Sequence, residues 1–130
     1  MRFPAALVVM LIVQAVAADR LDPSAGSDPP VEIRLRGFVY VEPATMPFVV
    51  SVRPEADNRM LRVEADGDLM YRSSDVPLAG DREKRLHNFE FRGLPRGSYI
   101  LRAMVLSTHD VRALAEQKVV VVSSSQSSAR

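Results

Sequence analysis

Phe89-Glu90-Phe91-Arg92-Gly93-Leu94-Pro95-Arg96-Gly97-Ser98-Tyr99-Ile100-Leu101-Arg102-Ala103 is the stretch that decides the fold. It reads as a strand, a tight turn and a second strand. Phe89 and Phe91 alternate with Glu90 and Arg92, the period of a half-buried strand. Gly93, Leu94-Pro95 and Gly97 interrupt that period with residues that reach unusual φ values or remove a backbone donor. Beyond Gly97, the residues Tyr99, Leu101, Ala103 and Val105 fall on one face of a long second strand. Tyr99, two residues after a turn glycine, has the placement of a tyrosine corner, whose hydroxyl bonds back to the turn backbone. Phe89, Phe91, Gly97 and Tyr99 are therefore structural residues.

Upstream, Val31, Ile33 and Leu35 alternate with Glu32, Arg34 and Arg36, and Gly37 interrupts before Phe38-Val39-Tyr40-Val41, which predicts a bulge. Residues 42–47 read as a connection. Phe48, Val50 and Val52 carry the second strand, and Leu61, Val63 and Ala65 the third. Asp66-Gly67 is a hairpin signal. A two-residue turn pairs Val63 with Met70, and a three-residue loop pairs Val63 with Tyr71; the second is preferred because it buries Tyr71. Arg72 to Leu86 reads as a long polar connection, Ser107 to Asp110 as a turn, and Val111 to Val122 as the last strand, apolar on both faces at Val119-Val120-Val121-Val122. No stretch keeps helical periodicity. Seven strands in about 90 residues predict an all-β, two-layer antiparallel β-sandwich of Ig-like or transthyretin-like kind.

Outside that domain the chain changes character. Met1-Arg2, the apolar run from Ala5 to Val13 and the small residues Ala15-Val16-Ala17 read as a signal peptide over 1–18. The run is too short for a spanning helix, which needs about 20 apolar residues. Residues 19–30 read as a flexible linker, 31–122 as the domain, and the serine-rich 123–130 as a disordered tail. A secreted or periplasmic protein follows, with no stable membrane insertion after cleavage. The chain has 17 Lys+Arg and 16 Asp+Glu; removing Arg2 with the leader balances them, so no general attraction to nucleic acid is expected. There are no cysteines, hence no disulfides to support a small exported domain.

The stretch from Phe89 to Ala103 resembles the closing hairpin of carboxypeptidase regulatory-like, or transthyretin-like, domains, which repeat Gly-Leu-Pro-x-Gly-x-Tyr-x-Leu after an aromatic strand. Gly37-Phe38-Val39 is similar to their opening Gly-x-Val strand. The resemblance implies a β-sandwich module, mostly non-catalytic, some members of which bind sugars or partner proteins.

Candidate chemistry is thin. A metal site needs more than the histidines His87 and His109, and Asp66-Gly67-Asp68 lacks the other ligands of a calcium loop. Arg72-Ser73-Ser74-Asp75 shows no spacing to a histidine base, so a small hydrolase is the least favoured reading. No metal and no cofactor are expected. Alternating strands gather residues 54–58, 72–86 and 107–110 at one end of the sandwich, and loops at one end are where such modules bind. The candidate binding residues are Asn58, Arg59, Arg72, Ser73, Asp75, Arg82, Arg85 and His109. The expected role is structural or protein-interacting, without catalysis, toward an envelope protein. The alternative partner is a glycan, disfavoured by the lack of tryptophan for sugar stacking.

Overall fold

The computed structural model of the chain describes residues 29–124. The expected leader, the linker up to residue 28 and the tail beyond residue 124 lie outside the described residues. Among the described residues there are eight strands: β1 (Val31–Leu35), β2 (Val39–Val41), β3 (Ala44–Val52), β4 (Met60–Gly67), β5 (Tyr71–Pro77), β6 (Leu86–Leu94), β7 (Gly97–Leu106) and β8 (Val111–Val122). They form two sheets, β1-β3-β6 and β2-β8-β7-β4-β5. This is an Ig-like β-sandwich, all-β as the periodicity predicts.

The two layers meet over alternating residues. Met46, Phe48, Val50 and Val52 of β3 and Phe91 of β6 face Leu61, Val63 and Ala65 of β4, Tyr99, Leu101, Ala103 and Val105 of β7, and Val119 and Val121 of β8, all buried. Each fully buried large apolar side chain contributes roughly 1.5–3 kcal/mol, so this interleaved set carries the fold without disulfides. Phe48 stacks on Phe89 at 5.4 Å and meets Phe91 at 5.6 Å.

Several expectations are corrected. Gly37 marks a change of sheet, where a bulge was expected: β1 pairs antiparallel with β3, whereas β2 pairs with β8, and in parallel. Residues 44–47 belong to β3, with Met46 fully buried; the prolines Pro43 and Pro47 disguise a strand as a connection. The turn between β4 and β5 sits at Asp68-Leu69, where the Gly67 N–H donates to the Met70 carbonyl at 2.9 Å. Val63 therefore pairs with Ser74 and Asp66 with Tyr71, and Tyr71 is exposed, contrary to both registers considered. The polar run after Arg72 continues as β5 to Pro77. A half-buried edge strand can be as polar as a loop, and YRSSDVP is one.

The Phe89–Ala103 motif is also repositioned. β6 pairs with β3, and β7 pairs with β4 and β8. The two strands lie in different sheets, so Gly93–Gly97 is a corner that crosses the sandwich and not the turn of a hairpin.

Candidate functional site

The corner is built on three local devices. Gly93 and Gly97 have φ of 70° and 147°, a backbone that side chains with a Cβ seldom adopt. The Tyr99 hydroxyl donates to the Pro95 carbonyl at 2.6 Å, the tyrosine corner expected from the spacing. Opposite it, Gly67 leaves room for the buried ring: a Cβ there would lie 2.5 Å from Tyr99 Cε2. Burial pushes the Tyr99 phenol above its ordinary pKa.

At the other end, the loops 53–59, 78–85 and 107–110 do gather. Asn58 is buried, where it donates through Nδ2 to the Arg53 carbonyl at 3.0 Å and accepts at Oδ1 from Arg112 Nε at 3.1 Å. Glu55 accepts from both Arg53 Nε (2.8 Å) and Arg112 Nη2 (2.7 Å), and these two guanidinium bonds hold its carboxyl below the usual range. Arg59 folds back onto the carbonyls of Ala56 and Asn58 at 2.6 and 3.0 Å. Asn58 and Arg59 thus shape the loop from within. His109 is exposed in a turn whose N–H groups, of His109 and Asp110, donate to Ser107 Oγ. Arg82 and Arg85 are exposed on the 78–85 loop, which Leu78 anchors in the core and Gly80, with φ of 69°, bends. His87 lies buried beneath that loop, its Nε2–H donating to the Lys84 carbonyl at 3.1 Å. Burial holds its imidazole below the ordinary value.

Arg72, Ser73 and Asp75 leave this group, because they sit on β5. Arg72 Nη1 donates to the Arg92 carbonyl at 2.7 Å, next to the crossing corner at the opposite end. Asp75 takes both Nε and Nη2 of Arg62 at 2.8 and 3.1 Å on the outer face of the five-stranded sheet, and this pairing lowers its pKa. The structure brings together Asn58, Arg59, Arg82, Arg85 and His109, and separates the other three from them.

That outer face carries a feature the sequence reading missed. Its middle is a ladder of charges: Arg102 donates to Glu116 and Glu64, both at 2.9 Å, and Tyr71 donates to Glu64 at 2.7 Å. The carboxylates around it raise the pKa of the Arg102 guanidinium. Beside the ladder, where β2 meets β8, Val39 (65% exposed), Val41 (57%), Val120 (40%) and Val122 (39%) stand in two register rows. Shallow depressions of about 410 and 510 Å³ flank Val120, one toward Asp66 and Lys118, the other toward Leu69 and Arg96. The two-sided apolar run Val119–Val122 was the available signal, since only one of its faces can reach the core.

Among the described residues, no group of three or more His, Asp or Glu side chains is placed to hold a metal ion. The exposed rings of Phe38 and Tyr71 belong to opposite edges of the sheet, so they form no row.

No protein-family model matches the chain, and no curated protein matches it. Among solved structures it is similar to the CARDB domain of a Pyrococcus furiosus protein, described in complex with di-metal ions, at 20% identity and a TM-score of 0.45. The likeness covers 73% of this chain and 93% of that one. At that level the architecture rests on this chain's own strands.

Proposed function

We propose that this chain is a non-enzymatic β-sandwich module of the carboxypeptidase regulatory-like kind, exported to the periplasm or beyond, with a protein-interaction role in the cell envelope. The observation that carries the reading is the valine corner. Four valines, exposed side by side at the β2–β8 edge, leave apolar area in water at a cost of roughly 25 cal/mol per Å². Contiguous exposed apolar patches of this kind mark interaction sites in soluble proteins. The charged ladder next to it is internally paired, which gives the patch a polar rim of the sort that surrounds a protein interface. The loop end supplies a second, more polar contact region through Arg82, Arg85 and His109.

The test is cross-linking of the protein to envelope proteins, comparing three forms. The double variant Val39→Ser with Val120→Ser should lose a cross-linked partner that the unaltered chain retains. Replacing Arg82 and Arg85 by alanine should weaken capture less, with a difference that shrinks at high salt. Equal capture by the serine variant removes the corner from the interface. A larger loss with the arginine variant places the contact at the loop end.

A further inference from the structure

The open edge of β5 carries its own pattern. The Gly67 N–H bonds the Met70 carbonyl, and the Leu78 N–H bonds the Arg59 carbonyl. The register between them is regular, so Arg72, Ser74 and Val76 spend their backbone groups on β4. Tyr71, Ser73 and Asp75 turn theirs the other way, away from the sheet. Pro77 has no N–H and ends the row. Among the described residues no hydrogen bond reaches these outward groups.

Other edges are managed. β2 is only three residues long, β1 packs beside β8, and the β6 edge is capped where Arg72 donates to the Arg92 carbonyl. An inward-pointing charge on an edge strand ordinarily obstructs pairing. Here that charge is turned aside onto β6, which leaves the β5 edge clear.

We propose that β5 pairs antiparallel with β5 of a second copy of this chain, with Ser73 opposite Ser73 across the two-fold axis. The outward-facing residues must meet one another, which leaves five two-fold registers. Centring on Arg72 opposes two arginines, and centring on Ser74 sets Tyr71 against Pro77, which has no N–H to return to the Tyr71 carbonyl. Asp75 opposite itself sets like charges together, which is destabilising. Tyr71 opposite itself sets Asp75 against Gly67, beyond the β4–β5 turn. Centring on Ser73 places Tyr71 opposite Asp75 and Arg72 opposite Ser74, with no like charges opposed. The three N–H groups of each copy then all find carbonyls, six hydrogen bonds in total. Two five-stranded sheets become one continuous sheet. This self-complementarity is why the occupant is a second copy and not an unrelated peptide. The interface is independent of the valine corner, which lies at the opposite edge of the sheet.

Sedimentation equilibrium of the full chain, with hydrogen exchange read at single residues, tests it. The unaltered chain should be a dimer at high concentration, with the Tyr71, Ser73 and Asp75 amides protected there and exchanging freely on dilution. Ser73→Pro removes the central outward N–H without touching the β4 ladder, and should weaken dimerisation by about tenfold or more. Ser73→Lys, which keeps every backbone donor, should weaken it comparably by opposing two like charges, with partial recovery in high salt. A chain that stays monomeric at all concentrations overturns the proposal. So does a dimer indifferent to both variants, or protection of these amides that appears only when another protein is added.

Discussion

Gly67→Ala tests how tightly the crossing corner is held. Gly67 is not among the positive-φ residues, so alanine meets no backbone strain there, and on chain entropy alone the change would stabilise by about 0.4–1 kcal/mol. The opposing term is steric. The new Cβ would lie 2.5 and 2.6 Å from Tyr99 Cε2 and Cδ2, about 1 Å inside the normal carbon–carbon separation. The ring has nowhere easy to go, because Tyr99 is 2% exposed and its hydroxyl is tied to Pro95. Overpacking of this kind costs about 1–3 kcal/mol, and displacing the hydroxyl adds about 1 kcal/mol. The steric side wins, for a net loss of roughly 1–3 kcal/mol. In a domain of this size each kcal/mol shifts Tm by about 4–8 °C, so thermal unfolding followed by circular dichroism should show a drop of roughly 5–20 °C. In a Tyr99→Leu background the same change should cost far less, and the double-mutant cycle reports the coupling. A Gly67→Ala protein as stable as the parent, or costs that simply add, would refute the view that ring and glycine are fitted to each other.

Phe91→Ala removes a buried ring packed on Phe48 and should cost about 3–5 kcal/mol. Glu90→Ala, on the exposed parity, should change stability by under about 0.5 kcal/mol; urea midpoints that ranked the two equally would show the face to be misread. His87 titrates below its ordinary 6.5 when folded, so the unfolded chain binds its proton first as pH falls. Stability from this group is intact above 6.5 and declines below it until the folded pKa is passed. Urea unfolding of the parent and His87→Gln between neutral pH and about pH 5 should differ in slope, and parallel curves would assign the acid sensitivity elsewhere. For the leader, N-terminal sequencing of exported protein should begin at Ala18 or Asp19; a start at Met1 would sink the signal-peptide reading.

What the sequence disclosed was mostly parity. Tyr99, Leu101, Ala103 and Val105 lie inward as their spacing implies, and so do Val31, Ile33, Phe48, Val50 and Val52. Parity says which face a residue takes but not which sheet its strand joins. For that reason the spacing predicts a hairpin where the chain crosses the sandwich at Gly93–Gly97, and a bulge where it changes sheet at Gly37. Composition misled at two strands, β3 because of its prolines and β5 because an edge strand of Arg, Ser and Asp reads as loop. The loop end was legible from strand alternation alone, and residues 53–59, 78–85 and 107–110 do share it. What Asn58 does there was not legible, since its partner Arg112 is 54 positions away. The valine corner escaped notice for a related reason: it needs β2 beside β8, a pairing no local pattern announces.

The sheet switch at Gly37 also bears on the order of assembly. β2 is complete at Val41, yet its ladder partner among the described residues begins at Val120, 81 residues beyond Val39. Local pairing gives β4–β5 and β7–β8 early, with short loops to close. β3–β6 must close longer ones, between Ser51–Leu86 and Ala44–Leu94. Such non-local topologies fold in roughly milliseconds to seconds, and the β2 rung carries the largest closure entropy of all. Until β8 is in place, the short β2 ribbon of valine has no sheet to join, and a chain emerging from N-terminus to C-terminus holds it unpaired until nearly the whole domain has appeared. Slow or interrupted synthesis past Leu106 should therefore leave this segment, together with the β7 edge that β8 covers, open to chaperones and to misassembly.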